Sequence, residues 1–299
     1  MPGFNYLPPD EAFLDPHRPG VKHPEKAKAV IIPFGLETSL TFEGGTSFGP
    51  EALLKASKEV ELFDEDYWAE AINSYEAATL SPCVIENDHA AALTQIEQVV
   101  GDVIAANRFP LSIGGEHSLS IGAVRPFAKK YADLAILHFD AHADLRDGYQ
   151  GNPFSHASAM RRVVELYQGP LVSAGLRNIS AEEASFYSDN KDRIHLHFAK
   201  DIKKVDLSRL LAPLQGRPVY VTFDVDCFDS SVMPATGTPE PGGLFWADVM
   251  DVLRGASRIS TIVGADIVEL SPRASLHACD FLTAKLAYKL LSFALYEGD

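Results

Sequence analysis

Short apolar runs alternate with amphipathic segments along most of this chain, and this alternation limits the possible folds more than any other feature. Residues 90–107 have apolar side chains at helical spacing, whereas residues 109–113 and 134–137 form nearly unbroken apolar runs. Runs without a polar face are typical of strands buried on both faces of a parallel sheet. The chain is therefore predicted to be an α/β protein with a mainly parallel sheet covered by helices on both faces.

The predicted elements extend through the whole chain. Strands are predicted at residues 27–34, near 59–63, and at 109–113, 134–137, 170–174, 193–198, 218–224 and 261–268. Helices are predicted at residues 51–56, 90–107, 119–130, 156–167, 181–188, 206–214, 246–257 and 281–296. No linker, charge block, low-complexity tract or internal repeat interrupts the pattern. A single domain is therefore predicted for residues 1–299, with an irregular arm at residues 1–27.

The composition limits the partners that this protein can bind. The 299 residues carry a formal net charge of −15, which argues against nucleic-acid or anionic-membrane partners and favours small cations. The three cysteines, Cys83, Cys227 and Cys279, have no CxxC spacing, and residues 1–28 lack the apolar segment of a secretory signal. No run approaches the roughly 18 apolar residues of a membrane span. A cytoplasmic protein is the expectation.

Three side chains that can bind a metal follow the apolar run at residues 134–137. Asp140, His142 and Asp144 occupy alternate positions, which lie on one face of an extended chain. Two carboxylates and an imidazole beside a buried strand are costly unless a cation neutralises them. The alternative interpretation is a solvated strand end whose carboxylates cap the next helix.

A second polar cluster repeats this pattern and favours a metal site. Asp224 and Asp226 follow the apolar run at residues 219–223, and His117 follows two glycines in a predicted tight turn. Ligands bind open α/β sheets beyond the carboxyl ends of the strands. Six candidate ligands are too many for one cation with an open position, but shared carboxylates would let them hold two ions about 3.5–4 Å apart. Oxygen and imidazole ligands without a thiolate favour Mn²⁺, while Mg²⁺, Fe²⁺, Co²⁺ and Ni²⁺ stay open.

Five motifs, in this order, resemble those of the ureohydrolase superfamily, which includes arginases and agmatinases. They are Gly114-Gly-Glu-His-Ser118, Asp140-Ala-His-Ala-Asp144, Phe223-Asp-Val-Asp-Cys-Phe-Asp229, Pro234-Ala-Thr-Gly-Thr-Pro-Glu-Pro-Gly-Gly243 and Asp266-Ile-Val-Glu-Leu-Ser-Pro272. The resemblance extends from about Phe34 to the C-terminus. It implies a three-layer αβα sandwich around a mainly parallel eight-stranded sheet, two Mn²⁺ per subunit and a homotrimer or homohexamer. One departure is Glu116, where the family usually has Asp; it is not expected to be a ligand.

The resemblance also implies roles for individual residues. One ion would be held by His117, Asp140, Asp144 and Asp224, and the other by Asp140, His142, Asp224 and Asp226, with Asp140 and Asp224 bridging. A hydroxide between the ions would attack the guanidinium carbon. Glu269 corresponds to the carboxylate that orients the guanidinium, Thr238 to a residue that supports this carboxylate, and His156 to the histidine that passes a proton to the leaving amine.

The substrate is predicted from the loop that follows the first metal motif. The arginase-type loop Gly-Asn-x-His-Gly is absent, and Ser180 stands where an acidic residue would bind the α-amine of arginine. The form Ser155-His-Ala…Met-Arg-Arg162 resembles agmatinases. Hydrolysis of agmatine to putrescine and urea is therefore predicted, with Arg146 and Asn152 as further substrate contacts.

Other functions stay open at this point. Guanidinobutyrase or guanidinopropionase would need a cation for the substrate carboxylate, which Arg146 or Arg161 could supply. Arginase activity and a non-catalytic, metal-bearing polyamine sensor or scaffold are further alternatives. Without the resemblance, a two-metal phosphoesterase would be the rival enzyme, but the chain has no basic motif suited to phosphate.

Overall fold

In the computed structural model, which describes residues 3–14 and 24–298, one sheet of eight parallel strands passes through the molecule. The strands of the described chain are β1 (Ala29–Phe34), β2 (Phe63–Asp64), β3 (Ala69–Glu70), β4 (Ala77–Thr79), β5 (Phe109–Gly114), β6 (Ala135–Phe139), β7 (Leu171–Leu176), β8 (Ile194–Phe198), β9 (Pro218–Asp224) and β10 (Thr261–Val268). The order across the sheet is β4-β1-β5-β10-β9-β6-β7-β8, and β2 and β3 form a separate antiparallel pair.

Helices cover both faces of the sheet. They are α1 (Gly49–Ala56), α2 (Ile72–Tyr75), α3 (His89–Ala105), α4 (Leu119–Lys130), α5 (Ala159–Val164), α6 (Ala181–Asp189), α7 (Leu207–Leu211), α8 (Trp246–Ile259) and α9 (His277–Leu295). Alternate strand residues enter two separate cores: Val30 and Ile136 pack with α3, α4 and α5, whereas Ile31 and Leu137 pack with α1, α7, α8 and α9. Burying one such side chain stabilises the fold by about 1.5–3 kcal/mol. The predicted three-layer αβα sandwich is confirmed.

One edge of the sheet differs from the prediction. The strand expected near residues 59–63 is a 3₁₀ turn at Ser57–Glu59 followed by β2, which lies outside the main sheet. The edge strand β4 was not predicted, because three residues are too few to show a period. Residues 5–7 of the predicted irregular arm lie beside β4, with the Leu7 amide donating to the Thr79 carbonyl at 2.8 Å. Residues 15–23 of that arm lie outside the described residues.

The four central strands, β5, β10, β9 and β6, end side by side, and the predicted site residues follow at these ends. Phe139 of β6 pairs with Phe223 of β9, and their rings stack with centroids 4.8 Å apart. The residues that follow, Asp140 and Asp224, therefore leave the sheet side by side. Val268 of β10 pairs with Asp224, so Glu269 lies one position beyond it. Because all strands are parallel, these polar residues meet at the carboxyl edge of the sheet.

The described part of the chain contains no helix long and apolar enough to cross a membrane.

Candidate active site

A cavity of about 340 Å³ opens at the carboxyl edge of the central strands. Most of the residues predicted from sequence line it: His117, His142, Asp144, Arg146, His156, Asp224, Asp226, Thr238 and Glu269. Asp140 is fully buried beneath this surface, in contact with His117 and His142. The fold therefore collects side chains from β5, β6, β9 and β10 in one place.

His117 is the centre of a first group of possible metal ligands. Its Nδ1 lies 3.0 Å from Oδ2 of Asp140, 3.1 Å from Oδ2 of Asp144 and 3.5 Å from Oδ2 of Asp224. All four residues are buried. They are the four that the family resemblance assigns to one ion.

His142 forms a second group with Asp226 and Asp140. Its Nδ1 lies 3.0 Å from Oδ2 of Asp226 and 3.5 Å from Oδ1 of Asp140. The two oxygens of Asp140 therefore face different histidines, which is the geometry that a shared carboxylate needs. In both Asp140 and Asp224, Oδ1 also accepts from a backbone amide, that of His142 at 2.6 Å and that of Asp226 at 2.8 Å. Asp224 differs in that its described histidine contact is with His117 alone, through Oδ2; its bridging role stays a prediction.

The excess of buried carboxylates shifts the pKa values of the group. Burial and the charge of Asp140 raise the pKa of Asp144 to about 7. Burial and the charge of Asp226 raise the pKa of Asp224 well above its ordinary value. Burial opposes the charged form of His142, but Asp226 and Asp140 outweigh it and raise its pKa to about 12. Without a cation, the group retains protons that divalent metal ions would displace.

The surroundings of His117 show that this donor set fits metal ions. The Thr222 hydroxyl donates to Asp266 at 2.7 Å, so its oxygen accepts from Nε2–H of His117 at 2.9 Å. Burial opposes the charged form of His117, but Asp140, Asp144 and Asp224 outweigh it and raise its pKa well above the ordinary value. Its buried Nδ1 lies among three carboxylates without a hydrogen-bond partner, a position that suits a cation in place of the proton. A divalent cation between these atoms would satisfy the nitrogen and the oxygens together.

His138 is a site residue that sequence reasoning did not single out. It lies in β6 and is fully buried, with Nε2 2.9 Å from Oδ2 of Asp140 and Nδ1 2.9 Å from the Ser173 hydroxyl. It therefore holds the Asp140 oxygen that faces His117. The available signal was a histidine inside an otherwise apolar strand, two residues before a candidate ligand.

Gly115, in the turn that carries His117, has no room for a side chain. The φ angle of Gly115 is not positive, so the backbone there is open to other residues. An added Cβ, however, would lie 2.0 Å from the carbonyl oxygen of Leu36. Close approach to the segment after β1, rather than unusual backbone freedom, therefore explains this glycine.

Glu269 joins the turn that carries His117 to the cavity. Its Oε1 accepts a hydrogen bond of 2.7 Å from the His117 amide, and its own amide donates to the Gly115 carbonyl at 2.7 Å. Its φ of 66° is in the left-handed region, which costs a non-glycine residue about 1–3 kcal/mol. Burial and the charge of Glu116 raise its pKa to about 8. Thr238 also lines the cavity, but the described side-chain hydrogen bond of Glu269 is with the His117 amide and not with Thr238.

His156 also lines the cavity, at the start of a 3₁₀ turn. Its Nδ1 is 2.8 Å from the Ser39 hydroxyl, and its Nε2 is 2.7 Å from the Thr41 hydroxyl. Burial lowers its pKa, although the charge of Glu116 opposes this effect. The partners Ser39 and Thr41 were not predicted, since they lie more than a hundred residues before His156 in the chain.

Of the remaining residues predicted to contact the substrate, Arg146 lines the cavity, whereas Arg161 and Asn152 do not. Arg146 lines the cavity, with its guanidinium carbon 5.4 Å from the centre of the Tyr149 ring. Arg161 instead lies over the Phe186 ring at 3.6 Å and pairs with Glu165, away from the cavity. Asn152 is not a lining residue either, because its amide nitrogen lies 3.0 Å from Nδ1 of His89. The direct substrate contact predicted for Asn152 is therefore not supported.

Arg177 ties three loops together behind the cavity. Its guanidinium donates to five backbone carbonyls, those of Gly175, Asp226, Cys227, Phe228 and Glu240, at 2.7–3.3 Å. This arrangement fixes the backbone of Asp226 and the lining residue Glu240 relative to β7. No role was assigned to Arg177 from the sequence.

Replacing Arg177 by lysine is expected to destabilise the protein by about 3 kcal/mol, because one ammonium cannot reach all five carbonyls and buried acceptors lose their donors. For a chain of this length, the thermal midpoint should fall by about 5 °C. The measurement is thermal unfolding followed by circular dichroism, with the exposed Arg209→Lys as control. An unchanged thermal midpoint would show that the hydrogen bonds of Arg177 to the five carbonyls do not contribute to stability.

Comparison with known proteins agrees with this site. Residues 27–293 match the model of the arginase family. An agmatinase from Bacillus cereus is 35% identical over 257 residues, which cover 84% of this chain and 86% of that protein. An N(1)-aminopropylagmatine ureohydrolase from Thermus thermophilus is 35% identical over 271 residues, covering 88% and 89% of the two chains. The crystal structure of an agmatine ureohydrolase from Thermoplasma volcanium superposes with a TM-score of 0.83 at 28% identity, covering 93% of each chain.

The fold and the site define an αβα hydrolase with a candidate binuclear metal centre. The chain belongs to the arginase family. It is a ureohydrolase-type enzyme that acts on guanidino C–N bonds and is agmatinase-like, which confirms the resemblance found in the motifs.

Proposed function

We propose that this enzyme hydrolyses agmatine to putrescine and urea with two Mn²⁺ per subunit. One observation carries the proposal: Asp140 directs its two oxygens at different histidine groups, and Glu269 lines the same cavity. His117, Asp140, Asp144 and Asp224 would hold one ion, and Asp140, His142, Asp224 and Asp226 the other. The bound ions would supply an activated water nucleophile and stabilise the negative charge that develops during attack.

The chain's own residues would position the guanidinium. Glu269 can accept two hydrogen bonds from a planar guanidinium, which holds its carbon at a fixed place over the metal centre. The hydrogen bond from the His117 amide orients the carboxylate relative to the metal ligands. His156, which lines the same cavity, would transfer a proton to the leaving amine.

The charge of the cavity lining supports a cationic substrate. Outside the metal ligands and Glu269, the lining contains the acids Glu183 and Glu240, the guanidinium of Arg146, and Glu43, which pairs with Arg273 at 2.5 Å. Agmatine carries a positive charge at each end, and acidic walls attract such a molecule. The amine of agmatine has no assigned partner, since Glu183 already accepts from the amides of Leu145 and Ser180.

Arg146 supports a second candidate substrate. A guanidino acid such as 4-guanidinobutyrate carries a carboxylate, which the guanidinium of the lining residue Arg146 could bind. Arg161 no longer supports this alternative, because it lies outside the cavity.

The test is urea release from agmatine, N(1)-aminopropylagmatine, arginine, 4-guanidinobutyrate and 3-guanidinopropionate in the presence of Mn²⁺. Agmatine is expected to have the highest kcat/KM. A preference for arginine or for a guanidino acid would contradict the agmatine proposal. The variant Arg146→Ala separates the acid substrates, because only their KM values should rise by about tenfold or more.

Further parts of the proposal concern assembly and location. A homotrimer or homohexamer is proposed from the family resemblance, and sedimentation would measure it. A single domain for residues 1–299 and a cytoplasmic location are proposed from the uninterrupted element pattern and from the cysteine usage.

A further inference from the structure

Glu116, adjacent to the metal-binding histidine, is a buried carboxylate surrounded by hydrogen-bond donors. Its Oε2 accepts from the backbone amides of Thr38 and Ser39. Its Oε1 accepts from the hydroxyls of Thr38 at 3.2 Å, Ser39 at 3.0 Å and Ser118. With five donors directed at it, Glu116 acts as an acceptor and fixes the loop that carries Ser39.

The hydroxyl of Ser39 links this carboxylate to His156. A hydroxyl has one hydrogen to donate and two lone pairs that accept. Because Ser39 donates its hydrogen to Glu116, its oxygen can only accept from its other neighbours. Those neighbours are the His156 amide at 3.1 Å and Nδ1 of His156 at 2.8 Å.

The proton on the ring of His156 is therefore assigned by its partners. We propose that Glu116, acting through Ser39, holds His156 in the tautomer with hydrogen on Nδ1. Nε2 then has a free lone pair, which accepts from the Thr41 hydroxyl at 2.7 Å. Glu116 is in this sense a positioning residue, because it acts on His156 through Ser39.

The consequence for catalysis rests on the proposed function. With Nδ1–H bonded to Ser39, a proton is gained and released only at Nε2, the nitrogen beside the cavity-lining Thr41. A proton taken up at Nε2 can pass to the leaving amine, and the Nδ1 proton stays in place throughout. In the opposite tautomer Nε2 already carries hydrogen, so the neutral ring cannot take up a further proton at this nitrogen.

Magic-angle-spinning NMR of the full-length protein labelled with ¹⁵N-histidine tests the tautomer without reference to turnover. Spectra are recorded for metal-free protein and for protein loaded with diamagnetic Mg²⁺, and the His156 signals are identified by their loss in His156→Asn. Wild-type His156 is expected to show a protonated Nδ1 and an unprotonated Nε2. A protonated Nε2 with a bare Nδ1 in the neutral ring would overturn the proposal.

Two variants test the relay itself. In Glu116→Gln, the side-chain amide can donate to Ser39, which frees the serine hydrogen for Nδ1 and should move the ring proton to Nε2. Ser39→Ala removes the hydroxyl between Glu116 and His156 and should leave a mixture of the two His156 tautomers. This variant replaces Glu116→Gln as the test if the substitution of the buried Glu116 prevents folding. Glu116→Asp keeps a carboxylate and should retain the wild-type tautomer. An unchanged tautomer in Glu116→Gln and Ser39→Ala would show that Glu116 does not control His156.

Kinetics then separate the relay from a structural role. In Glu116→Gln, kcat for urea release is expected to fall by about ten- to a hundred-fold, with KM little changed and partial rescue in Glu116→Asp. The exposed Glu51→Gln is the matched control. If no guanidine releases urea, the proposed function fails while the NMR result stands. If urea is released and kcat is unaffected in Glu116→Gln and Ser39→Ala, the relay is overturned.

Discussion

Replacing Asp140 by alanine is expected to remove both divalent ions and the ureohydrolase activity together. Asp140 is fully buried and directs one oxygen at the His117 group and the other at His142, so its loss opens both metal positions. Metal content, measured by mass spectrometry after dialysis, should fall from about two ions per chain to less than one. The value of kcat/KM should fall by at least about a thousand-fold, equivalent to roughly 4 kcal/mol of transition-state stabilisation.

The control for this change lies just outside the opposite end of β6. Asp133 precedes β6 at its opposite end and is exposed, so Asp133→Ala should retain metal and activity. Asp140→Asn keeps the side-chain volume and tests whether the loss follows from the missing charge rather than from a cavity beside His138. Full activity in a metal-replete Asp140→Ala enzyme would refute the assignment of Asp140 as the shared ligand.

Replacing Glu269 by glutamine is expected to leave both ions bound but to slow turnover by about a hundred- to a thousand-fold. Glutamine has nearly the same shape, and its carbonyl can still accept from the His117 amide, so the turn that carries His117 keeps its geometry. It cannot accept two hydrogen bonds from a guanidinium, and it lacks the negative charge that binds one. Steady-state kinetics with agmatine and the metal content of the same sample measure the two effects.

The comparison of these two samples distinguishes the roles of the residues. Loss of metal in Glu269→Gln would show that Glu269 supports the ions rather than the substrate. Kinetics equal to those of the wild type would remove Glu269 from the site. Glu51→Gln again serves as control, because Glu51 is exposed on α1 and lies outside the cavity.

The candidate metal ligands could be selected from sequence because their pattern is local. Asp140, His142 and Asp144 follow an apolar strand at alternate positions, and Asp224 and Asp226 follow another. Parallel strands leave a sheet at the same edge, so the ends of two such strands must be close in space. Prediction of the fold succeeded for the same reason, since periodicity is read within ten or twenty residues.

The substrate contacts were harder to predict because the contacts of loop side chains depend on the tertiary structure. Asn152 was selected from its place in the loop, yet its amide turns towards His89 in α3. Arg161 was a candidate on the same basis and packs on Phe186 in α6. The direction of a loop side chain depends on neighbours that have no fixed separation along the chain.

Sequence alone determined the α/β architecture and the set of side chains at its carboxyl edge, because both follow from local periodicity and from the parallel direction of the strands. Only the tertiary structure decided how those groups are arranged. It shows that the two oxygens of Asp140 face different histidines and that His138 contacts one of these oxygens. It also shows the hydrogen bonds of Arg177 to backbone carbonyls and those that connect Glu116 to His156 through Ser39. Ser39 and His156 are 117 positions apart. Such hydrogen bonds depend on distances set by the packing of whole layers, which no local pattern of residues records.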